Sequence, residues 1–496
     1  LLEGCRRQIV MTMHWNHRAR KTAHFATICG YACLPLATAA GDWLFVPHLN
    51  GKLEYTDNVT LTGQNTLQDY IASINTGASF SGTSARLNSN INYNLQKQIY
   101  DSEDDFSGLN HQLQANNQLT VVDQWVYFDT NSSVSQQAVQ NSETFGRNNR
   151  NQAGNQTNVV FYEFSPSVRR RLGAWANFNG TLSKGYTSTS GGNINSRGSG
   201  DDEIIALNLS SGARFARVPM SISYNRSKEN FDSGSGNEQE RYNASLSYLV
   251  NRKLRLNFEL GGELNSSSAG GNGGGTGFTW SVGGAYSPTP RTDITASFGE
   301  RRFGSSNNFS ISHRMRKWVF GVNYTEDIRT RGQELRDLVL VPVTDDFGNP
   351  VFDPTQNADI RNPDDLSSIN ENSFVSERLG ANIAYQGRLT SFSISYFESA
   401  RTGSGTAIEN TNRGVRTSIS RSLSRRLSIA MNFFWRENES DSVLNNKDVL
   451  ISPSIRYTLG PHTDLSVSYS YRDGDGPDID NNYIENSLSA SVTLHY

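Results

Sequence analysis

The sequence is poor in cysteine, in long apolar runs and in hydrophobic residues overall. Its cysteines, Cys5, Cys29 and Cys33, all lie near the N-terminus, and no cysteine spacing typical of a zinc site occurs. No run of 18 apolar residues is present, which excludes a membrane-spanning helix. At 35% hydrophobic residues the chain is too polar for a soluble protein with a large buried core. That composition is ordinary for a transmembrane β-barrel, whose interior and loops are wet.

The N-terminal segment has the features of an export signal. Arg18, Arg20 and Lys21 form a basic region, residues 23–36 are moderately apolar, and Ala37–Ala39 fits a cleavage site of small residues. We therefore expect residues 1–39 to be a signal peptide.

The first residue is leucine, so Met11 or Met13 is a plausible true start. Without residues 1–39, which hold five Lys/Arg and one Asp/Glu, 40 basic and 47 acidic residues remain, a formal net charge of -7. This acidic balance argues against a nucleic-acid partner.

Apolar and polar residues alternate along most of the remaining chain. The C-terminal segment has Leu488, Ala490, Val492 and Leu494 at every second position and ends on Tyr496. The same two-residue period occurs in 254–260, 427–435 and 465–471, which favours strands with one apolar and one polar face over helices. The 20 Tyr, 24 Phe and 7 Trp argue against disorder. The pattern predicts an all-β fold over 40–496, a transmembrane antiparallel up-and-down β-barrel of about 22 strands, within a range of 20–24.

Two kinds of connecting segment alternate along the chain. Short, often basic segments are predicted as periplasmic turns, and longer polar segments as extracellular loops. The short turns include 169–171, 251–253, 386–388 and 424–426, the longer loops include 187–202, 231–239 and 436–447, and the two longest are 136–157 and 326–373. Segment 326–373 either folds into the lumen as a constriction or lies outside as a surface loop. A soluble β-sandwich or β-solenoid is the structural alternative, which the export signal and the aromatic strand ends disfavour.

No constellation of catalytic or metal-binding residues is apparent. The chain lacks a nucleophile elbow and a phosphate loop, and the histidines of 40–496 are scattered, so we predict neither an enzyme nor a cofactor. The acidic run from Asp473 to Asp480 lacks the glycine and the final glutamate of a calcium-binding loop, and a solvated loop is the simpler interpretation.

The polar face of the predicted strands supplies the candidate functional residues. If the apolar members face lipid, their neighbours face the lumen. The candidates are Arg255, Asn257, Glu259, Glu263, Arg378, Asn382, Arg416, Arg456 and Arg472. Serines 466, 468 and 470 and serines 487, 489 and 491 are predicted to lie along the seam between the last two strands. Two interpretations of this wall are open. Either it passes or binds a polar solute such as a glycan, or its charged pairs only brace the barrel from inside.

Four short motifs lie in the predicted strands and turns, Leu53–Val59, Val122–Asp129, Phe164–Val168 and Gly299–Gly304. They resemble motifs of a known family of outer-membrane β-barrels, the family associated with the PEP-CTERM/exosortase system in exopolysaccharide gene clusters. The resemblance implies a non-enzymatic barrel that accompanies exopolysaccharide production and the sorting of exported proteins. It supplies no catalytic residues.

The sequence therefore predicts a protein of the outer membrane of a Gram-negative bacterium. We expect a channel or docking site for a polar polymer or solute, with exopolysaccharide or exported proteins as partners. The alternative is a non-conducting scaffold or adhesin that binds matrix through its loops. Further expected partners are outer-membrane lipid, lipopolysaccharide and the barrel-assembly machinery, which would engage the C-terminal strand ending at Tyr496.

Overall fold

The computed structural model describes residues 41–102, 108–138, 156–190, 199–267, 275–330, 333, 374–403, 409–440, 443–475 and 482–495. The predicted signal peptide and most of segments 136–157 and 326–373 lie outside these residues. Residues 326–329 belong to a strand rather than to a loop.

The described chain forms one antiparallel sheet of 22 strands. The first eleven are β1 (Gly41–Thr56), β2 (Asp69–Ser84), β3 (Leu87–Tyr100), β4 (Leu109–Val122), β5 (Val126–Ala138), β6 (Gln156–Leu172), β7 (Ala176–Ser190), β8 (Gly200–Ser211), β9 (Met220–Phe231), β10 (Gly236–Leu249) and β11 (Leu254–Ser267). The others are β12 (Gly275–Thr289), β13 (Thr292–Arg301), β14 (Gly304–Arg314), β15 (Trp318–Arg329), β16 (Phe374–Gln386), β17 (Thr390–Gly403), β18 (Glu409–Ser422), β19 (Leu427–Ser440), β20 (Val443–Gly460), β21 (Thr463–Asp475) and β22 (Tyr483–His495). A 3-10 turn, Ala213–Phe215, lies between β8 and β9.

The sheet closes into a barrel. Each strand pairs with its neighbours in sequence, and β1 also pairs with β22, from His48 opposite His495 to Thr56 opposite Ser487. Closure removes the free sheet edges that an open sandwich has, because every strand has a partner on both sides. The predicted up-and-down barrel and its strand number are confirmed. In the described part of the chain, no helix combines the length and apolar character needed to cross a bilayer.

The outer face carries the apolar rows. Leu53, Leu260 and Phe278 are 69%, 58% and 69% exposed, values that are explained by contact with lipid rather than with water. Aromatic pairs lie on this face near both ends of the strands. Near the short turns, Trp43 stacks on Phe80 with ring centroids 5.4 Å apart, and nearer the loops the ring centroids of Tyr162 and Tyr186 are 5.6 Å apart. Two such belts suit the two membrane–water interfaces.

A glycine makes room for the aromatic belt near the short turns. A Cβ atom on Gly82 would lie 1.8 Å from Cε3 of Trp43, so the indole covers the glycine backbone of β2. Arginines join the belt at the short-turn end. The guanidinium of Arg170 is 3.8 Å from the ring centroid of Trp125, and that of Arg214 is 4.1 Å from that of Trp175. These stacked cations hold positive charge at the turn end of the wall, where it can meet lipid phosphates.

Several predicted connectors are wrong in position. Residues 169–171 were predicted as a turn, but they are the end of β6, and the chain reverses at 173–175. Gly173 has φ +62°, in the left-handed region that favours glycine, so the reversal occurs there.

The predicted loops 231–239 and 436–447 are mostly strand, with connections of only 232–235 and 441–442. Their charged residues pair across strands on the outer face. Arg226 contacts Glu238 at 2.5 Å, and Arg413 contacts Glu437 at 2.9 Å. Paired charges therefore continue the strands where the sequence pattern indicated loops.

Candidate functional site: the inner wall of the barrel

The register of the strands assigns each residue to one of two faces. Directly opposed residues share a face, and side chains alternate along each strand. Leu260 opposes Trp280, and both are exposed apolar residues of the outer face. Their neighbours Glu259 and Ser281 oppose each other on the other face, which lines the interior. The face assignment carries from strand to strand around the ring and is consistent where β22 meets β1. Register shifts occur near strand ends, between Thr120 and Val122, Tyr286 and Thr289, Asn438 and Ser440, and Thr458 and Gly460.

The nine candidate residues all lie on this inner face by register. Arg255, Asn257, Glu259 and Glu263 are on β11, Arg378 and Asn382 on β16, Arg416 on β18, Arg456 on β20 and Arg472 on β21. They do not converge on one point. They form separate groups around the ring, so the geometry is that of a wall rather than of a catalytic pocket.

One group is an ionic network on the wall from β10 to β15. Arg241 contacts Glu259 at 3.0 Å and Glu263 at 3.6 Å. Arg301 of β13 reaches across β12 to Glu263 at 2.6 Å and also pairs with Asp327 of β15. Glu263 is only 2% exposed, so it is held by two arginines rather than by water. A network that links β10, β11, β13 and β15 braces the wall, as the bracing interpretation predicts.

A second group lies at the barrel closure. Arg472 donates to both carboxylate oxygens of Asp448, Nε to Oδ1 at 2.9 Å and Nη2 to Oδ2 at 3.0 Å. Both side chains are nearly fully buried. On β22, Glu485 accepts a 2.7 Å hydrogen bond from the Thr56 hydroxyl of β1, and Arg472 opposes Glu485 in the register. Polar contacts therefore run from β20 through the last strands to the first.

Serines form a ladder at the same seam. The Oγ atoms of Ser466 and Ser491 are 2.7 Å apart, as are those of Ser468 and Ser489. These contacts join β21 to β22 on the inner face, where the sequence predicts the serine rows. The hydroxyls bond to each other, which satisfies them and leaves a smooth polar surface.

The sequence analysis missed the most uniform polar surface of the barrel, which we call the amide wall. It consists of the inward asparagines and glutamines of two neighbouring strands, and all of them except Gln98 oppose one another in register. They are Asn88, Asn90, Asn92, Asn94, Gln96 and Gln98 on β3, and Asn110, Gln112, Gln114, Asn116 and Gln118 on β4. None of these side chains carries a formal charge. Each offers an amide donor and a carbonyl acceptor. The signal is visible in the sequence as Asn or Gln at every second position of 88–98 and 110–118, but the predicted lumen residues all lie on other strands.

The inner wall is not equally accessible along its height. On β7, Asn177 and Asn179 near the short turns are exposed, whereas Ser183 and Thr187 near the loops are buried. β3 shows the same difference: Asn90 near the short turn is exposed, whereas Gln98 near the loop is buried. The accessible polar surface therefore belongs mainly to the half of the barrel at the short-turn end, where both described termini also lie.

The described residues contain no group of three or more His, Cys, Asp or Glu side chains placed to hold a metal ion. His48 lies buried on β1 and His111 contacts the Tyr93 hydroxyl at 2.8 Å on the outer face. The acidic run 473–480 lies largely outside the described residues.

Comparison with known proteins gives structural relatives only. No family model and no curated protein matches the chain. The apoprotein form of the FrpB iron transporter from Neisseria meningitidis (F5-1 variant) is similar, with a TM-score of 0.51 and 9% identity over 93% of this chain and 82% of that chain. Another structure of the same variant gives 0.50 and 10% over 92% and 83%. The siderophore receptor PirA from Pseudomonas aeruginosa gives 0.46 and 12% over 91% and 80%. The likeness shows the fold, a large outer-membrane β-barrel of Gram-negative bacteria.

Proposed function

We propose that the barrel provides a passage for a polar polymer across the outer membrane, with exopolysaccharide as the cargo class. The observation that carries this proposal is the amide wall. Amide groups bond sugar hydroxyls both as donors and as acceptors, and they do so without the tight hold of a charged pair. A moving solute needs contacts that are favourable on entry and weak enough to release it. The resemblance to barrels of exopolysaccharide clusters points to the same cargo.

Single-channel recording tests the passage. Full-length protein reconstituted in planar bilayers is expected to give step currents, and added neutral glucose oligomers are expected to block them reversibly. Replacing Asn90, Asn92 and Gln114 with leucine removes three amides from the amide wall and is expected to weaken the block. Asn208→Leu is the matched control, because Asn208 is an inward amide of β8 outside the amide wall.

The absence of step currents from folded protein would overturn the passage. If oligomer or matrix binding then persisted and depended on the loops, the scaffold or adhesin alternative would take its place. If the block weakened equally in the control and in the triple variant, the passage would not depend on the amide wall, since the block would then depend on lumen width alone.

A further inference from the structure

The short turns of the barrel carry charge of almost one sign. These are the ten connections from β2–β3 to β20–β21, and they contain eleven Lys and Arg residues but one acidic residue, Asp123. The eleven, all of them exposed, are Arg86, Arg214, Arg217, Arg252, Lys253, Arg291, Arg316, Lys317, Arg388, Arg425 and Arg426. Two further arginines at the adjoining strand ends, Arg170 and Arg421, face outward by register. We call this whole set the basic rim.

Little negative charge opposes the basic rim. Within the described residues, the only ion pair in these turns joins Arg86 to Asp123 at 3.9 Å, and both of its side chains are largely exposed. The strand ends next to the turns add three acidic residues, Asp42, Asp293 and Asp464, and the register places all three on the inner face. The last two each accept a 2.7 Å hydrogen bond from a hydroxyl group. The outer surface at this end is therefore positive.

Aromatic rings hold two arginines of the basic rim in place. Arg170 stacks on Trp125 and Arg214 on Trp175, at 3.8 and 4.1 Å from the ring centroids. The two tryptophans are 44% and 58% exposed. Stacking fixes the plane of a guanidinium and keeps its charge, while its N–H groups stay at the edge of that plane. Both arginines can therefore donate to an acceptor outside the protein.

Exposed apolar side chains lie beside the cations. Val250, Met315, Leu389 and Leu423 are turn residues that are 41–53% exposed, and each lies within two residues of a member of the basic rim. A soluble acidic partner would account for the cations alone. A lipid accounts for both features, because its acyl chains contact the apolar groups and its phosphate meets the cations.

We infer that the basic rim binds the headgroups of anionic phospholipids, of the phosphatidylglycerol type, in the periplasmic leaflet of the outer membrane. The short turns of such a barrel face the periplasm, and the leaflet on that side consists of phospholipid. A guanidinium matches a phosphate with two parallel hydrogen bonds. A headgroup with a net negative charge gains more from the rim than a zwitterionic one does. The inference does not depend on the proposed passage, since it concerns the outside of the barrel.

The test compares two lipids that differ only in the headgroup, phosphatidylglycerol and phosphatidylcholine with the same acyl chains. Native mass spectrometry of the full-length barrel in detergent gives the affinity for each. The test variant is Arg170→Gln/Arg214→Gln. The matched control is Arg171→Gln/Arg314→Gln, because these two arginines lie at the same end and are exposed but face inward. A heat-modifiability gel verifies that each variant is a folded barrel.

We expect the unmodified protein to bind phosphatidylglycerol more tightly than phosphatidylcholine. The test variant should lose affinity for phosphatidylglycerol by about fivefold per arginine, the usual effect of one basic residue near an anionic membrane surface. The control should bind it as the unmodified protein does, and the affinity for phosphatidylcholine should stay the same throughout. The preference should shrink at 1 M salt, where the Debye length is about 3 Å.

Two outcomes would overturn the inference. One is equal affinity of the unmodified protein for the two lipids, and the other is an equal loss in the test variant and the control. A third probe, polyglutamate, is a soluble polyanion without acyl chains. If it bound in a way that required Arg170 and Arg214 while no lipid preference was found, the basic rim would be a docking surface for an acidic periplasmic protein instead.

Discussion

The buried pair of Asp448 and Arg472 gives the sharpest prediction for stability. Asp448→Ala removes the carboxylate and leaves a guanidinium that is 2% exposed. Breaking a buried ion pair by removing one partner costs about 3–5 kcal/mol, and here the buried guanidinium loses the carboxylate that accepts two of its hydrogen bonds. The pair connects β20 to β21, and the Tyr483 hydroxyl of β22 lies 3.5 Å from Asp448 Oδ1. Asp448→Ala therefore destabilises strands that lie next to the barrel closure.

A pair on the outer face serves as the internal comparison. Arg413 and Glu437 form a similar contact at 2.9 Å; the Glu437 side chain is only 9% exposed, but Arg413 is 38% exposed and keeps a second carboxylate, Glu439, at 2.8 Å. Exposed pairs contribute about 0.2–1 kcal/mol. Glu437→Ala is thus expected to cost several-fold less free energy of unfolding than Asp448→Ala, although both variants remove one carboxylate from one arginine.

The measurement is urea unfolding of the barrel in lipid vesicles, followed by tryptophan fluorescence, with midpoint and slope compared between variants. The double variant Asp448→Ala/Arg472→Leu completes the cycle. It removes both charges, so we expect it to be more stable than Asp448→Ala alone. A cost below about 1 kcal/mol for Asp448→Ala, or a double variant less stable than either single one, would refute the reasoning that burial sets the energy of this pair.

Three further predictions concern the barrel itself. Heated and unheated samples on an SDS gel should migrate differently, and identical migration would contradict a closed barrel. Leu260→Arg places a charge on the lipid face and should cost about 2–4 kcal/mol in vesicle refolding, whereas Asn257→Arg on the inner face should cost much less; equal costs would contradict the face assignment. Gly82→Val should displace Trp43 and lower the free energy of unfolding by about 1–3 kcal/mol. Gly51→Val should leave the stability unchanged, because nothing lies within 4 Å of its added Cβ. Thermal melts of the two variants test this difference.

The fold was predictable because a membrane barrel requires little beyond a two-residue period. Each strand needs an apolar face for lipid, as Leu488–Leu494 has, and each hairpin needs a connector. Counting such segments gives the strand number even where individual boundaries are misplaced. The misplaced ones share a cause. Segments 231–239 and 436–447 resemble loops in composition, but their charges pair across strands at 2.5–2.9 Å, which only the register reveals.

The inner wall was predictable as a face but not as an arrangement. The alternation of side chains along β11 places four polar residues on one face of the strand, Arg255, Asn257, Glu259 and Glu263. It does not show that Glu263 is held by Arg301 from two strands away, because that contact depends on the curvature of the wall and on the relative heights of β11 and β13. The same limit hid the amide wall. Its two rows become adjacent only through the antiparallel register, in which Asn88 opposes Gln118 and Gln96 opposes Asn110.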